Sequence, residues 1–122
     1  QSVLREVSVF LTDRVRVLEE AGLPREQILL DPGFGFGKTL SHNLELLAGL
    51  DQLRALGYPL LVGLSRKSML GEVTGREVSE RLPASLAAAT IAAMKGASIL
   101  RVHDVKETSD AVKVVSAMEG AV

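Results

Sequence analysis

Apolar residues recur along the chain with two spacings, which predict helices and strands respectively. Residues 2 to 21 carry them near the helical period, and Gly22 is placed to end that helix. Three further segments have helical patterns: residues 43–57, divided near Gly49-Leu50-Asp51; residues 84–95, preceded by Pro83; and residues 104–118. The last segment opens at Asp104, where Glu107 three residues later fits a capping box.

Three short apolar runs lie between these helices and predict buried strands, at residues 28–30, 60–64 and 99–102. Strands buried on both faces and alternating with helices indicate a parallel α/β sheet. Three strands cannot close a barrel, and a complete TIM (β/α)8 barrel needs about 250 residues. We therefore predict that residues 1–122 supply about the last three and a half units of one larger β/α-barrel domain. A small open α/β domain is the alternative.

Composition excludes several classes of protein. Lys and Arg number 14 against 15 Asp and Glu, and no polybasic stretch occurs, so neither nucleic acid nor an anionic membrane is expected as a partner. The chain has no cysteine, which excludes disulfides and thiolate metal sites and is compatible with the cytoplasm. The first residues lack the basic and apolar regions of a signal peptide. No spacing of His and carboxylates suggests a zinc site, and His42 is expected at a helix start with no catalytic role.

Chemically active side chains follow each predicted strand. Asp31 follows the first, Ser65-Arg66-Lys67 the second, and the third carries Arg101 and His103. Ligands of parallel α/β folds collect at the carboxyl ends of strands, so these groups are expected on one rim. Each also has a structural alternative. Asp31 can cap a turn, Arg66 and Lys67 can be solvated, and His103 with Asp104 can be a surface pair.

A glycine-rich loop, residues 33–39, lies between the first predicted strand and the next helix. It is not a nucleotide P-loop, because Pro32 stands where that pattern needs its first glycine, and Leu40 breaks the dinucleotide fingerprint. The chain has only three Phe and one Tyr, and Phe34 and Phe36 both fall in this loop. We predict a pliable lid whose phenylalanines do not fill the core, and one of them could cover an aromatic substrate. Residues 65–81 are predicted as a long polar connection.

Three segments together resemble one family. They are Asp31-Pro-Gly-Phe-Gly-Phe-Gly-Lys38, Gly63-Leu-Ser-Arg-Lys-Ser-Met69 and Arg101-Val-His-Asp-Val105. In this order and spacing they resemble the last three strand-end motifs of the dihydropteroate synthases, over nearly the whole chain from residue 3 to 118. The motifs on that family's first five strands, including an Asn that helps to hold Mg²⁺, have no counterpart in this sequence.

The resemblance implies a transferase of folate biosynthesis. In that reaction p-aminobenzoate displaces pyrophosphate from 6-hydroxymethyl-7,8-dihydropterin pyrophosphate and gives 7,8-dihydropteroate. Asp31 would bind the amino and N–H edge of the pterin, and Lys67 would donate to the acceptors of its ring. Arg101 would stack on the pterin and reach the leaving phosphate, which His103 would also bind.

The resemblance also implies substrate contacts at Gly63, Ser65 and Phe36, the last two with p-aminobenzoate. The residues expected in catalysis are Lys67, Arg101 and His103. Mg²⁺ would accompany the pyrophosphate, with its protein ligand outside this chain. The implied partners are the two small substrates, the N-terminal half of the barrel and a second copy in a homodimer. The Ala-rich helix of residues 84–95 is a candidate for the dimer contact; the alternative is that it packs on a neighbouring unit of the barrel.

Two other functions remain open on sequence. One is a pterin-binding methyltransferase domain, which needs no pyrophosphate site and so leaves Ser65-Arg66-Lys67 and Arg101-Val102-His103 unexplained. The other is a non-catalytic fragment of the synthase barrel. Because half of the site is absent, the isolated chain is expected to show no synthase turnover.

Overall fold

A computed structural model describes residues 2–121, in which helices alternate with short parallel strands. The helices are α1 (Val3–Glu20), α2 (Leu40–Ala48), α3 (Leu50–Arg54), α4 (Ser68–Thr74), α5 (Leu82–Met94) and α6 (Val105–Gly120). The strands are β1 (Leu61–Val62) and β2 (Ile99–Leu100), and 3₁₀ turns span Arg25–Gln27 and Val78–Glu80.

The sheet is parallel and follows the order of the chain. Leu61 lies opposite Ile99 and Val62 opposite Leu100, while Leu30 forms a single parallel bridge to Leu60. The three predicted strand positions are therefore neighbours, joined by helical connections as in successive β/α units. All the carboxyl ends consequently lie at one edge.

The strands are shorter than predicted, and two side chains explain where the pairing stops. Leu30 donates its N–H to Pro59 O and accepts from Leu61 N–H, both at 2.8 Å. The next donor on that side of the strand would be residue 32, but it is a proline and has no N–H. After β2, Arg101 N–H still donates to Val62 O at 2.9 Å, whereas His103 N–H donates to the Ser65 hydroxyl and no longer to a strand carbonyl.

The predicted first helix agrees with α1 to within its capping residues. The second prediction is correct in its division, because Gly49 separates α2 from α3, but α2 begins earlier, at Leu40. Thr39 accepts a hydrogen bond from His42 N–H and the His42 ring faces Thr39 N–H, which makes a capping box. His42 thus has the structural position expected of it.

Two predictions about the second half are wrong. Residues 65–81 contain α4, whose buried Met69 and Leu70 attach it to the core; with Gly71 in its middle, so short a segment has little helical signal. Asp104 does precede α6, but its side chain makes no capping hydrogen bond. Its carboxylate accepts from Arg66 instead, so the capping box predicted with Glu107 does not form.

The core lies between the sheet and the helices on one side of it. Its most deeply buried side chains belong to Phe34, Leu46, Leu50, Leu53, Leu60 and Val62. The small side chains Ala88 and Ala92 of α5 join this cluster, and α5 also packs along α6. The Ala-rich helix of residues 84–95 thus packs on neighbours within the chain, which is one of its two predicted alternatives. Among residues 2–121, no helix combines the length and hydropathy needed to span a membrane.

Glu45 on α2 connects the two N-terminal helices and gives a pH-dependent prediction. Its carboxylate accepts from Leu4 N–H at 3.2 Å and from the Ser2 hydroxyl at 2.9 Å. These bonds lower the pKa of Glu45 in the folded chain. A lowered folded pKa stabilises the fold above the ordinary glutamate pKa, and this contribution disappears as the pH falls through the folded value.

We therefore expect Glu45→Gln to lower the free energy of unfolding at neutral pH, and we expect a smaller deficit at about pH 3, because the contribution begins to disappear below the ordinary glutamate pKa. Urea unfolding at both pH values measures the difference. Glu72→Gln, an exposed change on α4 outside these contacts, is the control. A Glu45→Gln deficit of equal size at both pH values would contradict the assignment.

Candidate functional site

The loops that follow β1 and β2 enclose a cavity of about 200 Å³ at the carboxyl edge of the sheet. It is lined by Gly63, Ser65, Lys67, Arg101, Val102 and His103. Five of these six are residues that the sequence predicted to contact substrate. The structure therefore brings together the groups from the second and third strand ends.

The hydroxyl of Ser65 joins the two loops. Ser65 Oγ accepts from His103 N–H at 3.2 Å and lies 2.9 Å from His103 Nδ1. This contact holds the imidazole at the cavity through Nδ1, and Ser65 does not contact Nε2. The predicted alternative, a surface pair of His103 with Asp104, does not describe this arrangement, because the Asp104 carboxylate binds Arg66.

Lys67 reaches across to the glycine-rich loop. Its Nζ donates to Phe34 O at 2.8 Å and lies 5.3 Å from the centre of the Phe36 ring. Burial lowers the pKa of Lys67; the Asp31 carboxylate opposes this shift, and the charges of Arg101 and Lys38 add to it. Lys67 is therefore a half-buried ammonium group beside two other cations, and it is not a solvated loop charge.

Asp31 lies beside the cavity but does not line it. Its Oδ1 accepts from Gly33 N–H at 2.9 Å, so the predicted turn-capping role is real. The second carboxylate oxygen makes no hydrogen bond within residues 2–121, and the side chain is exposed. Its charge acts on the Lys67 ammonium. Of the predicted charged and imidazole groups, three thus share the cavity, namely Lys67, Arg101 and His103, whereas Asp31 lies next to it.

Arg101 is exposed at the cavity, with Gly63 beneath it. A Cβ at position 63 would lie 3.5 Å from Arg101 Nε, which is ordinary van der Waals contact, so Gly63 lies directly against the guanidinium. Within residues 2–121, neither Arg101 nor His103 pairs with a carboxylate. The cavity is therefore cationic and suited to an anion.

The glycine-rich loop is fastened at several points, which differs from the predicted pliable lid. Gly35 N–H donates to the buried Asn43 side chain at 2.9 Å. Lys38 Nζ donates to Gly33 O at 2.7 Å and to Phe36 O at 3.3 Å. The prediction that neither phenylalanine fills the core is correct for one of the two. Phe36 is 71% exposed, whereas Phe34 is 1% exposed and fills the core.

Sequence reasoning missed several residues that support the site from behind. Lys38 and Asn43 hold the glycine-rich loop, while Ser85 and Asp104 hold Arg66, which precedes Lys67. Asn43 and Ser85 are buried polar residues on helices, at 3% and 6% exposure. The sequence pattern around these two residues predicted only that they belong to helices. The one available sign of a supporting role was a polar residue within an apolar helical pattern.

The cavity lining has no carboxylate, so its chemistry suits an anion better than a metal ion. In the part of the chain that the structure describes, no three His, Asp or Glu side chains converge as a metal site.

The chain is similar to solved dihydropteroate synthase structures. One from Stenotrophomonas maltophilia superposes with a TM-score of 0.95 at 51% identity, covering 98% of this chain and 45% of that one. One from Xanthomonas albilineans in complex with 7,8-dihydropteroate gives a TM-score of 0.95 at 48% identity, covering 98% and 46% respectively. These likenesses confirm the predicted fold class, a set of TIM-barrel β/α units.

The sequence shows the same relationship. The dihydropteroate synthase of Escherichia coli K12 is 55% identical over 115 residues, which are 94% of this chain and 41% of that protein. This chain thus spans less than half the length of that relative, as expected of part of the barrel. The model of the family described as "Pterin binding enzyme" matches residues 1–103. The chain belongs to the pterin-binding enzyme family.

Proposed function

We propose that the chain forms the C-terminal strand ends of a dihydropteroate synthase, and that its cavity holds the pyrophosphate of the pterin substrate. The observation that carries the proposal is the convergence of Lys67, Arg101 and His103 on one cavity without a carboxylate in its lining. Such a cavity favours a polyanion over a neutral group. The Xanthomonas albilineans relative, whose structure contains 7,8-dihydropteroate, supports the choice of reaction.

The reaction breaks the bond between the pterin methylene carbon and a pyrophosphate oxygen, and it forms a bond from that carbon to the amine of p-aminobenzoate. Pyrophosphate leaves with the bonding electrons, and the amine gives up one proton. The chain's own part is to hold the leaving anion as its charge grows and to keep the reactants aligned. Arg101 and His103 do the former, and Lys67 lies between the anion and the pterin.

Asp31 is proposed to bind the pterin ring. It accepts from Gly33 with one oxygen and keeps the other free of protein donors within residues 2–121. A carboxylate so placed can accept from the adjacent N–H donors of a pterin edge. The Lys67 ammonium, on which the Asp31 charge acts, would donate to the ring acceptors. The two side chains together would match the donor and acceptor pattern of the ring.

Ser65, Gly63 and Phe36 are proposed to contact the substrates at the open side of the cavity. Gly63 lines the cavity next to Arg101, and Ser65 lines it with its hydroxyl in contact with His103. The exposed Phe36 ring next to Lys67 offers an apolar face to the ring of p-aminobenzoate. This is the substrate-covering role expected of one of the two phenylalanines.

Mg²⁺ is proposed to bind with the pyrophosphate and to neutralise part of its charge. Hard cations bind mainly through phosphate oxygens and water, and the cationic lining of this cavity offers no ligand for the metal itself. The metal's protein ligand would come from outside residues 1–122.

Further β/α units are proposed to complete the site. Leu29, next to the Leu30 edge of the sheet, is 48% exposed, and Ile99 on the opposite edge is 44% exposed. On α1, Val9 and Phe10 are each 61% exposed. Additional strands and helices would cover these residues. The proposal includes a homodimer in the cytoplasm, for which the 70% exposed Val114 and 48% exposed Met118 of α6 are candidate contacts.

Titration calorimetry with 6-hydroxymethyl-7,8-dihydropterin pyrophosphate, with and without Mg²⁺, tests the function. We expect binding that Mg²⁺ strengthens, and we expect Arg101→Ala to remove the Mg²⁺-dependent part, because the guanidinium faces the pyrophosphate. Lys106→Ala, which removes an exposed cation from the first turn of α6, is the control.

Binding that is indifferent to pyrophosphate would favour a methyltransferase domain, and no binding would favour a non-catalytic fragment. Because part of the site lies outside this chain, we expect no synthase turnover by residues 1–122 alone. Measurable 7,8-dihydropteroate formation by the isolated chain would contradict that expectation.

A further inference from the structure

The turn after β1 contains a left-handed residue that is not glycine. Lys67 N–H closes this turn on Leu64 O at 3.2 Å, and Arg66 inside it has a φ of 56°. No other non-glycine residue among residues 2–121 has a positive φ. Glycine normally occupies such a position, because a Cβ makes the conformation costly. Something in the structure must therefore hold Arg66 in it.

Three contacts from other elements hold Arg66. Its N–H donates to the Ser85 hydroxyl at 2.9 Å, and its carbonyl accepts from Arg81 Nη1 at 3.0 Å. Its guanidinium donates to both carboxylate oxygens of Asp104, at 3.2 Å from Nε and 2.6 Å from Nη2. The first two contacts bind the backbone. Only the Asp104 contact binds the side chain and crosses to the loop after β2.

The Arg66–Asp104 pair runs alongside a second link between the same two loops. Ser65 and His103 face the cavity and contact each other, while their chain neighbours Arg66 and Asp104 pair outside it. Lys67, after the turn, lines the cavity again. The conformation of Arg66 therefore decides whether Ser65 and Lys67 face the cavity together.

We propose that Asp104 is a positioning residue: by pairing with Arg66 it maintains the left-handed turn that keeps Ser65 and Lys67 in the cavity opposite His103. The identity of the bound anion rests on the proposed function, but the link between the loops does not. Asp104 does not line the cavity, and it makes no side-chain cap on α6, so neither ligand binding nor helix capping accounts for its place.

Binding of inorganic pyrophosphate tests the proposal, because positioning and simple electrostatics predict opposite changes. Asp104→Asn removes a negative charge near an anion site, so electrostatics alone would tighten binding. Positioning predicts roughly tenfold weaker binding, the size of one lost hydrogen bond between loop and ligand. Asp110→Asn, on the exposed side of α6, removes the same charge outside these contacts and serves as the control.

A second substitution sharpens the test. Glycine adopts the left-handed conformation without the cost of a Cβ, so Arg66→Gly added to Asp104→Asn should return the affinity to within about threefold of the original. If Arg66 instead acts on the anion as a cation, the double variant should bind still more weakly. Tighter binding by Asp104→Asn, or further loss in the double variant, overturns the proposal.

Amide hydrogen exchange gives a readout that needs no ligand. The N–H of residue 66 bound to Ser85 and the N–H of His103 bound to Ser65 should exchange faster in Asp104→Asn and recover in the double variant. Urea unfolding shows that each variant is folded. Unchanged exchange in Asp104→Asn would refute the positioning role, whether or not the chain binds pyrophosphate. A chain that binds no pyrophosphate would instead count against the proposed function.

Discussion

Replacing Phe34 with alanine is expected to lower the free energy of unfolding by about 3–5 kcal/mol, the usual cost of removing a large aromatic side chain from a core. Phe34 is 1% exposed and belongs to the core cluster that includes Leu30, Leu64 and Met69. Members of this cluster lie on the strands, on the loops and on the helices packed against them, so the space left by the ring is expected to close only in part. Urea unfolding followed by circular dichroism measures the loss.

Phe36, two residues along the same loop, provides a matched control. It is 71% exposed, and the Lys67 ammonium lies 5.3 Å from the centre of its ring. Phe36→Ala should therefore change the free energy of unfolding by less than about 1 kcal/mol. Equal losses in the two variants would mean that the loop does not divide its phenylalanines between core and surface.

Replacing Asp31 with asparagine is expected to weaken binding of the free pterin by about 1.5–3 kcal/mol, which corresponds to roughly 10- to 150-fold in affinity. The proposed contact is a charge-assisted pair of hydrogen bonds, and asparagine keeps only one acceptor oxygen. That oxygen can still accept from Gly33 N–H, so the turn after the first strand is preserved. Titration calorimetry with the 6-hydroxymethyl pterin, which has no phosphate, measures the change.

The same variant should bind inorganic pyrophosphate at least as tightly as the original chain. Asp31 is a negative charge beside a cationic cavity, and its removal cannot weaken an anion's attraction to Arg101 and His103. Equal losses of pterin and pyrophosphate affinity would show that Asp31 supports the structure of the whole site and does not bind the pterin directly.

The strand-end residues of the site were predictable because topology alone groups them. Once three buried runs alternate with helices, their carboxyl ends share an edge, and Lys67, Arg101 and His103 follow from their places in the chain. Asp31 shows the limit of this reasoning. It follows its strand as expected, yet its carboxylate turns to Gly33 and lies beside the cavity, because a proline and a glycine follow it directly.

Where prediction failed, long-range contacts outweighed the local pattern. Asp104 and Glu107 have the spacing of a capping box, but a guanidinium 38 residues away competes for the Asp104 carboxylate with a charged, two-point contact. Phe34 lies in a loop sequence that suggests a surface role, yet it is drawn into the core. Residues 68–74 lack a helical signal of their own and form α4 around two buried side chains.

The sequence by itself determined the alternation of four helical segments with three parallel strand positions and the polar residues that follow each strand, since both follow from hydrophobic periodicity and the placement of glycine and proline. The tertiary structure alone decided which of two loop phenylalanines is buried, which carboxylate pairs with Arg66, and how the Ser65 hydroxyl replaces a strand acceptor for His103. Those outcomes depend on which groups from distant segments arrive within hydrogen-bonding distance, and no local pattern records that.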